Sequence, residues 1–235
     1  MQRPDRKQVE ALISNDPLLR AVRAEVEARA DGDAAHDIDH LLRVAVWTLR
    51  CAPELDPRSA IAAALLHDIV NVPKNSPDRS RASELCAHEA QRLLSELSAR
   101  DLGERLPPTA LADIHDAIRD HSFSRGATPQ GALGRALQDA DRLEAVGAIG
   151  IMRCLGTGPR IGARYFHPQD PFADHRELED TRFSVDHFFT KLLGLSTTLL
   201  TPIGRAEAAR RSQILKQFIE ALAGELERPC NRALE

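Results

Sequence analysis

Apolar residues recur at three- and four-residue spacing along most of the chain, in segments rich in Ala, Leu, Arg and Glu. That is the period of α-helices with one buried face. Strand signals are nearly missing, with few β-branched runs, no alternating stretch of useful length and a single Tyr. The pattern predicts an all-α chain. A first helix covers about Arg6 to Ile13, and Asn15-Asp16-Pro17 starts a second that runs to about Ala30. After a break at Asp31-Gly32-Asp33, the next helix carries His36, His40, Val44 and Trp47. Asp56 reads as a cap and Pro57 as a first helical residue. They open a segment from Arg58 to about Ile69 that is apolar on nearly all sides and so expected at the centre. A proline-bounded loop from Val72 to Pro77 follows, then helices at about Ser80–Ala99, Thr109–Asp120 and Leu133–Cys154. Gly and Pro gather between Gly156 and Asp180, which predicts a long irregular loop acting as an ordered lid or wall. Helices at about Ser184–Leu200 and Gly204–Arg228 close the chain.

Composition narrows the class without naming it. At 235 residues the chain suits one large domain or two small ones, and it can bury a sizeable core. Its 43% hydrophobic and 28% charged content excludes a disordered or fibrous protein. Lys and Arg number 31 against 35 Asp and Glu, a net charge of −4, which argues against a nucleic-acid polymer as partner but leaves room for a local basic pocket. The apolar run Ile61 to Leu66 is far too short to span a membrane, and no apolar stretch follows Met1 to suggest a secretory signal. Cys51, Cys86, Cys154 and Cys230 are scattered, with no C-x-x-C pair, and read as the free thiols of a cytoplasmic protein. The nine histidines change the picture most, because six fall between His36 and His121 and several adjoin an aspartate.

Three stretches hold candidate chemistry. His36 and His40 are four apart and share a helix face, which suits either two imidazoles on one metal or a solvated polar helix start. His67-Asp68 interrupts an apolar helix, where both groups need a partner: each other, or a metal that takes imidazole nitrogen and carboxylate oxygen. Gln138-Asp139-Ala140-Asp141-Arg142-Leu143-Glu144 could be no more than an amphipathic helix, and its carboxylates gain interest only beside the first two stretches.

Taken together, the stretches resemble the HD-domain superfamily of metal-dependent phosphohydrolases, whose signature is H…HD…D. His40-Leu41-Leu42-Arg43-Val44 matches the first element, Ala64-Leu65-Leu66-His67-Asp68-Ile69 the second and Ala140-Asp141-Arg142-Leu143 the third. The chain is also similar to a bacterial subgroup of such hydrolases. Shared features are the His36-Asp37…His40 start, Pro73-Lys74, His121-Ser122-Phe123-Ser124, the stretch from Gln138 to Gly150, and Asp186-His187-Phe188-Phe189-Thr190-Lys191-Leu192-Leu193. The resemblance implies a compact single-domain helical bundle. Residues 1–33 would pack on the core as N-terminal helices, 34–154 would form the metal-binding core, and 155–235 would complete the same domain.

The resemblance also implies a set of roles. His40, His67, Asp68 and Asp141 would bind one divalent metal ion per chain, Mn²⁺, Mg²⁺, Fe²⁺, Ni²⁺ or Zn²⁺, with no organic cofactor. Two positions of an octahedral shell would stay open for water and substrate. Some relatives continue as H-D-x-x-E-D, but this chain has Asn71 where their Glu assists catalysis, and Asn cannot exchange a proton at neutral pH. Asp68 then becomes the candidate proton acceptor. His121 is a candidate catalytic group, and His115 with His121 would hold a second metal in dinuclear relatives. His36, Asn71, Lys74, Arg79, His115, Arg142, His187 and Lys191 are candidate substrate contacts, while His88, His167 and His175 read as surface residues. Trp47 and Phe188-Phe189 read as core. The expected activity is phosphohydrolysis of a small molecule, a nucleotide, with nucleoside triphosphate pyrophosphohydrolysis favoured over monophosphatase action. The alternatives are a catalytically reduced metal- or nucleotide-binding sensor and a di-iron oxygenase. No membrane partner is expected, and a homodimer is compatible with the sequence.

Overall fold

The computed structural model describes residues 4–29, 37–72, 76–100, 105–122 and 125–234. It divides into two compact units, Met1–Asp141 and Arg142–Glu235. Among the described residues there is no β-strand, only an isolated bridge between Arg164 and Phe183. The all-α expectation is met. No helix among the described residues is long and apolar enough to cross a membrane.

The first unit contains α1 (Arg6–Asn15), α2 (Pro17–Ala28), α3 (Ile38–Cys51), α4 (Pro57–Leu66), α5 (Ala82–Ser98), α6 (Pro108–Asp120) and most of α7 (Ala132–Leu143). Their starts follow from side chains that satisfy the free N–H groups of a first turn. Asp5 caps α1 through the N–H of Gln8, Asp16 caps α2 through Leu19, and Asp37 caps α3 through His40. Asp56 accepts from both the N–H and the hydroxyl of Ser59 at the start of α4. Helix α4 is buried along its whole described face from Ser59 to Leu66, and α1, α2, α3, α5 and α6 all pack against it. Small side chains at Ala60, Ala62, Ala63 and Ala64 let five helices approach one axis closely.

Helix α4 stops at Leu66, earlier than the expected Ile69. The His67 imidazole explains the stop. Its Nδ1 lies 2.8 Å from the Ala64 carbonyl oxygen, the acceptor that the Asp68 N–H would use in a continued helix. Helix α6 ends the same way, with His121 Nδ1 2.6 Å from the Ile118 carbonyl oxygen. Beyond α4 the chain is held to α5 by Cys86, whose thiol donates to the Val70 carbonyl and accepts from the Val70 N–H.

The second unit contains α8 (Gly147–Arg160), a π turn at Phe188–Leu192, a 3₁₀ helix at Leu193–Thr198, and α9 (Pro202–Glu225), which Thr201 caps through the N–H of Gly204. The single helix expected over Leu133–Cys154 is therefore two. Val146 is extended and Gly147 has φ +75, a left-handed conformation that only Gly adopts freely, and a Cβ there would sit 3.1 Å from the Arg211 Cβ. Helix α8 also runs through Gly156 to Arg160, so the irregular segment begins later than expected. It closes in a Schellman motif, with Gly162 N–H on the Pro159 carbonyl, Ala163 N–H on the Gly158 carbonyl, and Gly162 at φ +82. The segment that follows is ordered by a buried ion pair. Asp186, fully buried, takes both ends of the Arg176 guanidinium and the Glu179 N–H. Arg232 and Asn231 of the C-terminal tail hydrogen-bond the Phe172 and Ala173 carbonyls and the Asp174 carboxylate.

Because α4 touches neighbours on all sides, added volume has nowhere to go. Ala63→Leu is expected to destabilise the protein by about 1–3 kcal/mol, read as a lower urea midpoint at unchanged slope.

Candidate metal centre

Three helix ends and one helix start converge in the first unit. Helix α3 delivers His40 from its first turn, where the Asp37 cap accepts the His40 N–H at 2.8 Å. The end of α4 delivers His67 and Asp68, the end of α6 delivers His121, and the last turn of α7 delivers Asp141. His40 and His67 are fully buried, whereas the Asp68 and Asp141 side chains keep 33% and 28% of their surface exposed. The imidazoles thus form the floor of the site and the carboxylates its rim.

The distances are those of a cation cradle rather than of hydrogen bonds. His67 Nε2 lies 3.4 Å from Asp68 Oδ2 and 3.8 Å from Asp141 Oδ1. His40 Nε2 lies 3.9 Å from Asp68 Oδ2 and 3.8 Å from Asp141 Oδ1. Ligand atoms that share one cation at bonds of about 2.1 Å stand about 3.0–4.2 Å apart, depending on the angle they subtend. His40, His67 and Asp141 form one group that could hold a metal ion, and His67, Asp68 and His121 form a second that shares His67.

Tautomers follow from the helix ends. A backbone carbonyl can only accept, so His67 Nδ1 carries a proton and donates it to Ala64. The neutral ring then turns a lone pair at Nε2 into the cluster, and Nε2 is buried with no hydrogen-bond partner among the described residues. His121 is oriented in the same manner by Ile118, with Nε2 4.0 Å from Asp68 Oδ1. A buried acceptor left unsatisfied is costly, and a cation among these atoms would satisfy it.

Electrostatics describe the same arrangement. Burial pushes the His67 imidazole down, but Asp68 and Asp141 outweigh it and raise its pKa to about 9. Burial opposes ionisation of Asp68 and Asp141, yet the facing imidazoles, His67 foremost, hold both carboxyls below the usual range, Asp141 well below it. Burial, reinforced by the charge on His67, pushes His121 down and keeps it neutral.

Residues 37–146 match the family model for the HD domain. The matched stretch spans α3 to α7, and so includes His40, His67, Asp68, His121 and Asp141. A relative, the protein YpgQ of Bacillus subtilis, is 29% identical over 197 residues, which is 82% of this chain and 85% of YpgQ. The crystal structure of an HD-superfamily hydrolase from Bacillus thuringiensis is 26% identical, with a TM-score of 0.64 over 95% of this chain and 98% of that one. The crystal structure of YpgQ in complex with ADP shares the fold at 23% identity, with a TM-score of 0.65 over 92% of this chain and 99% of that one.

The other residues singled out in the sequence do not join this cluster. His115 stacks on His88 instead of joining the cluster, with ring centroids 5.6 Å apart, and its Nδ1 lies 3.2 Å from Asp116. His88 is thus half of a pair, which nothing in its spacing announced. Asn71 is exposed in the stretch after α4. Arg142 donates to the Thr198 carbonyl at 2.7 Å. In the second unit His187 Nδ1 lies 3.0 Å from Asp180, and Lys191 sits in the π turn. His36 and Lys74 lie outside the described residues, as does the Arg79 side chain. Sequence reasoning overlooked Gln138 as a positioning residue: buried, it donates to the carbonyls of Asp120 and Ala127 and so fastens both flanks of His121.

The raised His67 value carries a sign for stability. A proton held more tightly in the folded state than in the unfolded chain stabilises fully below pH 6.5, and that contribution is lost as pH rises through about 9. Protein kept free of metal by chelator is expected to lose urea resistance between those limits, and His67→Gln is expected to flatten the slope.

Proposed function

We propose that this chain is a metal-dependent phosphohydrolase acting on a nucleotide. His40, His67, Asp68 and Asp141 would bind one divalent cation, and the carrying observation is the buried His67 Nε2, aimed by the Nδ1 bond to Ala64 at two carboxylates and without a hydrogen-bond partner among the described residues. A cation there polarises a phosphoryl oxygen and makes water more acidic. Two imidazoles and two carboxylates suit Mn²⁺, Mg²⁺, Fe²⁺, Ni²⁺ or Zn²⁺.

The protein side of the reaction rests on Asp68 and His121. Asp68 turns Oδ2 to His67 and Oδ1 to His121, so one oxygen would serve the cation while the other lies 4.0 Å from His121 Nε2, with room between them for a water that both could accept from. His121 is neutral with its lone pair at Nε2, which makes it a base for the attacking water. The proton it gains is then within reach of the leaving group. Asn71 supplies no second base. The partly exposed carboxylate rim would leave a cation held there accessible to substrate, and the ADP bound by YpgQ supports a nucleotide as that substrate. Nucleoside triphosphates, cleaved to monophosphate and pyrophosphate, are favoured over monophosphates.

The test is release of phosphate and pyrophosphate from a panel of nucleoside mono-, di- and triphosphates with added Mn²⁺. Pyrophosphate release from triphosphates is expected, with Asp141→Asn lowering kcat/KM about a thousandfold. His121→Gln is expected to lower kcat about a hundredfold or more with little change in KM. Equal turnover by Asp68→Ala would overturn the reading, and tight nucleotide binding without turnover would favour a sensor instead.

A further inference from the structure

The second unit has a cleft of about 400 Å³ built from Gly162, Arg164, His167, Pro168, Gln169, Thr181, Arg182 and Phe183. None of these residues belongs to the His-Asp cluster. The lining holds two guanidinium groups, an imidazole, a carboxamide and a hydroxyl, and no carboxylate. Its construction is specific. The Schellman turn at Gly162 swings the chain out of α8, and backbone bonds between Arg164 and its neighbours across the bridge (Arg164 N–H to the Arg182 carbonyl, Ser184 N–H to the Arg164 carbonyl, both 2.8 Å) bring Arg164 alongside Arg182. The buried Phe183 ring forms the base, with the His167 ring edge-on at 5.2 Å and the Arg182 guanidinium 5.4 Å above it.

Charge and hydrogen bonding are both left incomplete. Arg182 pairs with Glu179 at 2.7 Å, in an exposed contact worth little. Arg164, its neighbour, has no hydrogen bond or ion pair to its side chain among the described residues. His167 is half-buried rather than a plain surface residue. Its Nδ1 accepts the N–H groups of Gln169 and Asp170 at 3.2 and 3.1 Å. The proton of the neutral ring is therefore on Nε2, a donor with no acceptor among the described residues. Residues bearing two guanidinium forks, an imidazole N–H and a hydroxyl line one cleft. A carboxylate would occupy one fork, whereas a tetrahedral oxyanion can meet several of these donors at once.

We propose that this cleft is an anion site, separate from the metal cluster, which binds a phosphate group between Arg164, Arg182 and His167. The volume admits a phosphate carrying a small organic group, so the ligand class is phosphate and simple phosphate esters.

The full-length protein, kept metal-free by chelator at low salt, is titrated with inorganic phosphate by calorimetry while the ¹⁵N resonances of the His167 ring are followed. Saturable binding is expected, with a shift at His167 Nε2. Arg164→Gln, an exposed position whose fold is checked by circular dichroism, should weaken binding about tenfold or more. Asp141→Asn should leave binding within about twofold, which separates this site from failure or success of the metal cluster. No saturation below about 10 mM phosphate, a signal too weak to be a site, would overturn the proposal. So would binding that survives Arg164→Gln or a titration that leaves His167 unmoved.

Discussion

Helix α4 is buried on every side, and at its end the chain sets down an imidazole and a carboxylate where apolar residues have stood for seven positions. Everything about the site depends on how that transition is made. The His67 ring captures the Ala64 carbonyl, which both terminates the helix and fixes the ring so that Nε2 faces inward. One hydrogen bond thus does a structural and a chemical task, and the two cannot be separated by sequence position. The same device at the end of α6 turns His121 toward Asp68 from the other side.

Two carboxylates and three imidazoles so placed form a charge balance that shifts with what is bound. Without a cation, Asp68 and Asp141 raise the His67 pKa to about 9, which favours the protonated ring at neutral pH. A divalent ion bound there would compete for that same lone pair, so occupancy of the site and protonation of His67 would exclude one another. The rigid surroundings matter here, because α4 is packed against five helices and the ring cannot turn away without breaking its bond to Ala64. Gln138 and Ser83 extend the same rigidity to His121. Gln138 binds the chain on both sides of it, and the Ser83 hydroxyl donates to the Arg119 carbonyl just before it.

Much of this was legible from residue order alone. Asp16 before Pro17 and Asp56 before Pro57 marked helix starts, and the nearly all-apolar segment from Arg58 marked the central helix, whereas Asp37, expected inside its helix, proves to be the cap of α3. The H…HD…D spacing picked out four residues that the fold gathers within one cluster. What escaped was set by backbone conformation and by long-range bonds. Gly147 sits in a stretch whose apolar period continues unbroken, so nothing local showed that it turns left-handed and divides α7 from α8. Asp186 entered the sequence reading only as part of a shared stretch, but its carboxylate belongs to Arg176, ten residues earlier. His115 and His121, six apart, invited treatment as a pair; each instead finds a different partner, His88 for one and Asp68 for the other.

The claim on which the rest stands is that His40, His67, Asp68 and Asp141 share one divalent cation. Calorimetric titration of metal-free protein with Mn²⁺ tests it directly when paired with the same titration of His67→Gln. One cation per chain, with proton release that grows as pH falls from about 9 toward 6.5 and disappears in the variant, is the predicted result. Absence of binding, or binding of equal strength and stoichiometry in His67→Gln, would contradict the account.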